Sequence, residues 1–586
     1  MQKGYTPASE QKQILGHPVG LFVLFFTEMW ERFSYYGMRA LLILFLTAKL
    51  TEGGWEWTKA EATTLFGWYV MLVYFLPLLG GWIADNYLGH VKSVITGASI
   101  ITLGHLSLAI ADLKPGLSFM FYIGLLLIVI GTGFFKPNMS SIVGKMYPQD
   151  SPKKDGAYTI FYMGVNSGAF IGTLLVGWLG ENYGWGFGFG LAGIFMLFGL
   201  LQFFFARRIF GEAANKPQPK KVDVTPEERE KMISFSRTDS VLAIFGGVTG
   251  GLWIIDGLYS VVTRGKHFIP QEIPGISLSG SILLFILSLI FFVLLGILRI
   301  RRFDPVERDR LIVIFLIAFF VIFFWASFEQ AGTSMTIFAR DYTARTLSGH
   351  WGMIYRLVDL ILSLIPMLIL TWIIFLLAKA ILKTYPLTVL FTTISFLIIW
   401  YLVLRRLYDK FQGDVTLVDT TWFQILNPFF IVVLAPLFSK LWQRFSFSAP
   451  QKFALGFFLL GSGFAMLAFG ALAIPKGAST ASVSMFWLVM AYLLHTMGEL
   501  AISPVGLSYV SKLAPPRMLG FIFGIWYVFT GLAGKLAATM AGYMDDISRE
   551  VGLSGFFFIF TVVPFLAAVI ILGISGKMKK MMHGIT

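Results

Sequence analysis

A chain of 586 residues would correspond to about four soluble domains at roughly 150 residues each, yet only 13% of its residues are charged and 56% are hydrophobic. With a mean hydropathy of +0.75, it holds more apolar side chain than a water-soluble surface can accommodate, so the composition specifies a polytopic membrane protein. The absence of cysteine excludes disulfides, thiolate catalysis and Cys-based zinc sites, and the net charge of +14 reads as Lys/Arg enrichment in cytoplasmic loops rather than nucleic-acid binding.

Apolar runs long enough to span a bilayer recur along the chain. After a polar start at 1–17, six spans near 18–47, 59–84, 91–112, 118–144, 157–181 and 185–208 build an N-terminal bundle over 18–208. Residues 209–238, rich in Pro and charge, have linker composition. An apolar pair, 239–259 and 278–300, forms an inserted unit over 239–303. A span at 310–338, within 304–345, opens the second bundle. A second inserted pair, 354–380 and 386–404, occupies 346–410. Spans near 420–443, 450–473, 483–512, 517–541 and 553–575 complete that bundle over 411–576, before a tail at 577–586.

The expected fold is therefore all-α, two six-helix bundles plus two inserted helix pairs, about 16 membrane segments in all. An even number puts both termini on one side. Basic clusters at 207–237, at Arg299 to Arg310 and at Lys577 to Lys580 make that side cytoplasmic. The plasma membrane is the expected site, the inner membrane if the source is a Gram-negative bacterium. Two halves joined by a cytoplasmic linker is the layout of major facilitator transporters.

An ionisable residue at bilayer depth costs about 2.5–3.5 kcal/mol or more, so it marks function. The first span holds Glu28, Glu31, Arg32, Tyr35, Tyr36 and Arg39, at offsets that fall on one helical face. Lys136, Glu329 and Glu499 reach similar depth in three other spans, each beside Gly, Pro or Ser. Interrupted helices of that kind line cavities, and charges of both signs around a cavity imply a ligand bearing both signs.

The stretch Glu31 to Gly37 (ERFSYYG) with Glu28 before it resembles the signature of the proton-dependent oligopeptide transporters of the major facilitator superfamily. So do FYMGVNSG at 161–168, FKPN at 135–138, Gln424 with NP at 427–428, and GELAISPVGLS at 498–508. GGWIADNYLGHVKS at 80–93 is similar to the general superfamily motif between the second and third spans, except that His90 stands where Arg or Lys is usual.

The resemblance implies a proton-coupled symporter importing di- and tripeptides by alternating access, with no cofactor beyond the proton gradient. No Walker A loop is present to supply ATP energy. The guanidinium of Arg39 suits a peptide carboxylate, with Lys136 as a second cation and Glu499 facing the amine. The resemblance adds Asn166 and Asn427 as polar contacts, and Tyr35, Tyr36, Tyr74 and Trp526 as aromatic walls. Proton coupling falls to Glu28, Glu31, Arg32 and Glu329, because neighbouring charges and burial shift a carboxylate's affinity for protons. Two gates are implied, Lys136–Glu499 on the cytoplasmic side and Lys59–Asp341 on the outer side, with Asp85 coupling helix movements.

Other polar residues read as packing. His495 is a packed neutral histidine one turn before Glu499, Lys535 snorkels to the outer surface, and Asp256 and the Arg356–Asp359 couple make local pairs within the inserted helices. The second inserted pair departs from the family's usual fourteen helices; oligomer contact and lipid packing are both open for it, and one chain suffices for transport. The nearest rival cargo is an amino acid, nitrate or an organic anion. A channel or membrane-embedded enzyme is the remaining class, and seven scattered His with no Cys offer no catalytic or metal constellation.

Overall fold

The computed structural model describes residues 10–148, 151–211, 235–273, 277–445, 447–515 and 518–585. Of the expected linker at 209–238, residues 212–234 lie outside them. The N-terminal half consists of α1 (Val19–Thr47), α2 (Lys59–Ile83), α3 (His90–Leu113), α4 (Phe119–Lys145), α5 (Lys154–Tyr183) and α6 (Trp185–Ala206). The first inserted pair is α7 (Arg237–Val262) and α8 (Gly280–Ile300). The seventh principal span is split into α9 (Pro305–Phe328) and α10 (Ser334–Asp341) by a 3-10 turn at Glu329–Gly332. The second inserted pair is α11 (Gly349–Ile381) and α12 (Pro386–Phe411). The chain closes with α13 (Leu426–Arg444), α14 (Ala449–Ala471), α15 (Met485–Leu513), α16 (Leu519–Gly542) and α17 (Met544–Met581).

Fifteen helices among the described residues are long and apolar enough to cross a membrane. To these α1 must be added. Its 29 residues are long enough, and the charges of Glu28, Glu31, Arg32 and Arg39 alone keep it from an apolar score. Caps fix several starts: the Thr58 hydroxyl accepts from the Glu61 N–H at 3.2 Å to begin α2, and Asp304 caps α9 ahead of Pro305. Within α17 the chain kinks at Gly552, whose φ of 81° only glycine adopts readily.

Three helix interruptions were expected and only one is found, at Glu329. The helix of Lys136 continues through Pro137, and that of Glu499 through Pro504. A proline removes one rung of the ladder, and inside a membrane protein neighbouring groups hold such a helix together. Residues 11–18 of the polar start fold back on the bundle. Strands β1 (Gln13–Ile14) and β2 (His17–Pro18) pair, and the Gln11 side chain bridges the Gly20 N–H and the Ile209 carbonyl at 3.1 Å each.

In the N-terminal half α1 packs on α5 and α6, and α3 on α4 and α6. The α1–α5 contact explains a sequence motif. Gly164, Gly168 and Gly172 form a stripe every fourth residue, and the backbone of α1 lies directly on it. A Cβ on Gly168 would sit 2.2 Å from the Met29 carbonyl oxygen. Met29 lies between Glu28 and Glu31, so this close approach sets the depth and rotation of the charged face. Gly168→Leu is expected to destabilise the fold by about 1–3 kcal/mol through overpacking, read as a lowered thermal unfolding midpoint in detergent.

The C-terminal half repeats the pattern, with α14 on α15 and α17, and α9 on α16 and α17. Across the interface α2 lies along α16, and α5 along α13 and the 3-10 segment Thr420–Ile425 that precedes it. Both described ends of the chain lie on one face, here the terminal face; the opposite one is the distal face.

Candidate functional site

The polar face of α1 is buried almost completely. Arg32 Nε lies 2.9 Å from Glu28 Oε1 and 2.6 Å from Glu31 Oε2, and all three side chains are at most 6% exposed. Glu28 Oε2 and Arg32 Nη2 have no hydrogen-bond partner among the described residues. Two carboxylates thus share one guanidinium, with acceptor capacity left over. Lys136 is within electrostatic range of both carboxylates, and its Nζ sits 4.6 Å from the centroid of the Tyr74 ring.

Two turns further along α1, Arg39 forms an ion pair with Glu329. This pair joins the halves. The break in the seventh span makes it possible, because Gly332 leaves room for the arginine: a Cβ there would meet Phe66 at 2.8 Å and Arg39 Nη2 at 3.0 Å. The guanidinium also lies 5.4 Å from the Phe66 ring centroid.

Between the halves is a cavity of about 300 Å³. Tyr36, Arg39 and Tyr74 line it from the first two helices, Asn166 from α5, and Glu329, Asn427 and Glu499 from the C-terminal half. Asn427 Nδ2 donates to Glu499 Oε2 at 2.8 Å and to the Thr496 hydroxyl at 3.1 Å. Asn166 Nδ2 donates to the Tyr162 carbonyl of its own helix at 3.0 Å. The cavity opens toward the terminal face: along α5, exposure falls from 50% at Tyr162 to 7% at Asn166 and 4% at Thr173.

Several expected residues are elsewhere. Tyr35 is buried and stacks near Tyr69, with centroids 6.3 Å apart. Trp526 packs over Gly506, and neither residue lines the cavity, nor does Lys136. Tyr35 and Tyr36 stand about 100° apart at the edge of the polar face, and here only Tyr36 turns into the cavity. Conversely, Tyr162, Gln424 and Tyr492 line it without having been given a site role. The first two lie in or beside quoted motifs; Tyr492 is one aromatic among many and carried no signal.

The expected gates also differ. Lys136 and Glu499 make no ion pair here: Lys136 Nζ lies over the Tyr74 ring, and Glu499 is held by Asn427. On the distal face Lys59 Nζ pairs with Asp545 at 2.7 Å, while Asp341 is held by Arg340 at 2.7 and 3.1 Å. Arg340 in turn donates to the Thr47 hydroxyl at 2.6 Å, linking the distal ends of α10 and α1. Asp545 is 45% exposed, and such pairs contribute about 0–1 kcal/mol. Asp85 is exposed in the turn after α2, 3.8 Å from His90 Nε2, and His90 Nδ1 hydrogen-bonds Asn138 at 2.7 Å. His90 therefore ties the loop to α4 in place of the usual cation.

Among the residues read as packing, the His495 ring lies tilted against Phe464 with centroids 4.3 Å apart, and it also borders the cavity. Lys535 does not snorkel; its Nζ lies 4.6 Å from the Trp68 ring on α2 of the other half. Arg356 does not pair with Asp359. It donates to the Gly413 carbonyl at 2.7 Å, and Asp359 takes Arg406 at 2.8 and 2.9 Å. Asp256 accepts from His267, Phe268, Ile269 and Ser281, closing the loop between α7 and α8. No group of three or more His, Asp or Glu that could hold a metal occurs among the described residues.

Comparison with known proteins agrees with this architecture. The model of the POT family matches residues 91–395 and 381–557. The uncharacterized transporter YclF of Bacillus subtilis is 31% identical, with 98% of this chain and 97% of that protein covered. The peptide transporter YePEPT of Yersinia enterocolitica is 33% identical over 91% of this chain and 88% of its own. Among solved structures, a peptide transporter POT in complex with sulfate superposes with a TM-score of 0.68 at 29% identity, covering 98% of both chains. A POT family transporter in complex with a thioalcohol conjugated peptide gives 0.70 at 26% identity, covering 97% of this chain and 98% of its own. With two six-helix halves around a central cavity and matches along nearly its whole length, the chain has the major facilitator fold and belongs to the POT family.

Proposed function

We propose that this protein is a proton-coupled symporter that imports di- and tripeptides by alternating access. The observation that carries the reading is the cavity between the halves, with Arg39 at one pole and Glu499 at the other. A short peptide is a zwitterion whose carboxylate fits the guanidinium fork and whose ammonium fits Glu499. A plain anion such as nitrate would leave Glu499 buried beside it with no cation. The peptide cargo of the relatives YePEPT and the di-/tripeptide transporter of Lactococcus lactis supports the same reading.

Coupling follows from the Arg39–Glu329 pair. Ionised Glu329 occupies the arginine and clamps the halves together on the distal side. A proton on Glu329 removes its charge and frees Arg39 for the incoming carboxylate. A buried arginine then always has one partner, Glu329 in the empty carrier and the peptide in the loaded one. The Glu28–Glu31–Arg32 cluster is the second proton site, since two buried carboxylates share one guanidinium, and a proton on either relieves their repulsion. The membrane potential provides about 2.3 kcal/mol per charge per 100 mV, so the carrier needs no cofactor. One chain encloses the whole cavity and suffices. Basic clusters on the terminal face support cytoplasmic termini and a plasma-membrane location.

If this assignment is right, Glu28→Gln and Glu31→Gln each abolish accumulation of labelled dialanine against its gradient in proteoliposomes. Unimpaired accumulation by both variants contradicts a proton role for the cluster.

A further inference from the structure

The second inserted pair belongs to one half by sequence and to the other by packing. It lies between the seventh and eighth principal spans, both in the C-terminal half, yet α12 runs along the N-terminal half over its full length. At the terminal end the Thr388 hydroxyl donates to the Gln202 carbonyl at 3.1 Å, and Phe391 stacks on Phe205 at 5.7 Å. Midway, Phe396 packs on Trp30, whose neighbours Glu28 and Glu31 bear the charged cluster. At the distal end the Tyr183 hydroxyl donates to Asp409 at 3.0 Å.

The pair is joined to its own half by a narrow neck on the distal face. There β3 (Thr346–Ser348) and β4 (Val415–Leu417) pair side by side. Below them is a buried charge network. Lys410 Nζ lies 2.9 Å from Asp419, and Trp422 Nε1 donates to Asp359 at 2.9 Å. Asp419 also accepts from Asn182 at the distal end of α5, at 3.1 Å. Next to it Glu181 accepts from the Thr420 and Thr421 N–H groups, at 2.8 Å each. The network therefore lies where the two halves meet on the closed face.

We propose that α11–α12 is a strap that travels with the N-terminal half and holds the distal face shut through Asp419. When the halves rock apart there, α5 leaves Thr420 and Thr421, and the strap carries Lys410 and Asp359 away from Asp419 and Trp422. The Lys410–Asp419 ion pair, the Trp422–Asp359 hydrogen bond and the two hydrogen bonds accepted by Glu181 are then broken together. The separated charges attract each other in a buried region of low dielectric. The neck thus opposes distal opening and draws the halves back together. Lys410 and Asp419 are positioning residues of the cycle, since neither reaches the cavity.

This inference rests on alternating access but not on the cargo, so its distance measurement needs no substrate. The cysteine-free chain accepts reporter pairs directly. Spin labels on Leu50→Cys and Leu472→Cys, both two-thirds exposed on the distal face of opposite halves, read the distal separation. Asp419→Asn and Lys410→Met are each expected to raise the ratio of distal-open to distal-closed molecules about tenfold. An unchanged distance distribution in both overturns the latch. Joining Phe205→Cys to Phe391→Cys with a short bifunctional thiol reagent fixes the strap to α6. Transport retained after this cross-link supports a strap that rides with the N-terminal half; transport stopped by it, and restored on reversal, overturns that. Because the cross-link uses the unaltered neck, it remains informative if a network variant fails to fold. Failure of dialanine uptake with distance changes intact would instead count against the peptide assignment.

Discussion

Glu329→Gln is expected to abolish proton-driven accumulation of peptide while sparing exchange of labelled for unlabelled peptide across the membrane. The reason lies in the return step. Exchange moves only loaded carriers, in which the peptide carboxylate neutralises Arg39. Accumulation also requires the empty carrier to reorient, and there Glu329 is the arginine's partner. A buried charge left alone costs about 3–5 kcal/mol, which slows that step by about 100-fold or more. Exchange by the variant is also expected to keep only the pH dependence that the Glu28–Glu31–Arg32 cluster supplies. A variant that still concentrates dialanine would show that the pair is a packing feature.

The second large effect is expected at Glu499. Its carboxylate is oriented by Asn427 and faces the cavity from the half opposite Arg39. Glu499→Gln keeps the shape and the Asn427 contact but removes the charge that meets the peptide amine. Loss of a hydrogen bond to a charged group costs about 1.5–3 kcal/mol, a roughly 10- to 100-fold rise in KM for dipeptides. Wild-type protein should reject N-acetylated dipeptides, which lack the ammonium, and the variant should discriminate far less. Competition assays with acetylated and free dialanine check this. Equal discrimination by both proteins would place amine recognition elsewhere.

The charged face of α1 is legible in the sequence because it is local: six polar groups at helical spacing inside an apolar run have one geometric meaning. The stripe of Gly164, Gly168 and Gly172 is local too, but its role became visible only when the structure laid the Met29 carbonyl of α1 on it. Ion pairs between distant segments are different. Lys59 has several acidic groups within reach on the distal loops, and no local pattern distinguishes Asp341 from Asp545. The Lys136–Glu499 gate requires a cavity closed toward the terminal face, whereas this structure is open there. A pair that forms in one state of a two-state protein is absent from the other.

The strap shows a further limit. Hydropathy finds both of its helices, but it cannot show that an insertion in one half packs on the other. That follows from apolar contacts such as Phe396 on Trp30 and Phe391 on Phe205, between residues that carry no individual mark. The Arg356–Asp359 expectation failed by the same logic. Spacing of three made them neighbours, yet Arg406 on the adjoining helix offers Asp359 two parallel hydrogen bonds, a stronger arrangement than one contact along a single helix.

The most direct test is uptake of labelled dialanine into proteoliposomes holding the purified protein, with and without an inward proton gradient. Accumulation above the external concentration only with the gradient, suppressed by unlabelled dipeptides and collapsed by a protonophore, is the result predicted. Uptake that merely equilibrates, ignores the gradient and is unaffected by competing peptides would contradict proton-coupled peptide symport.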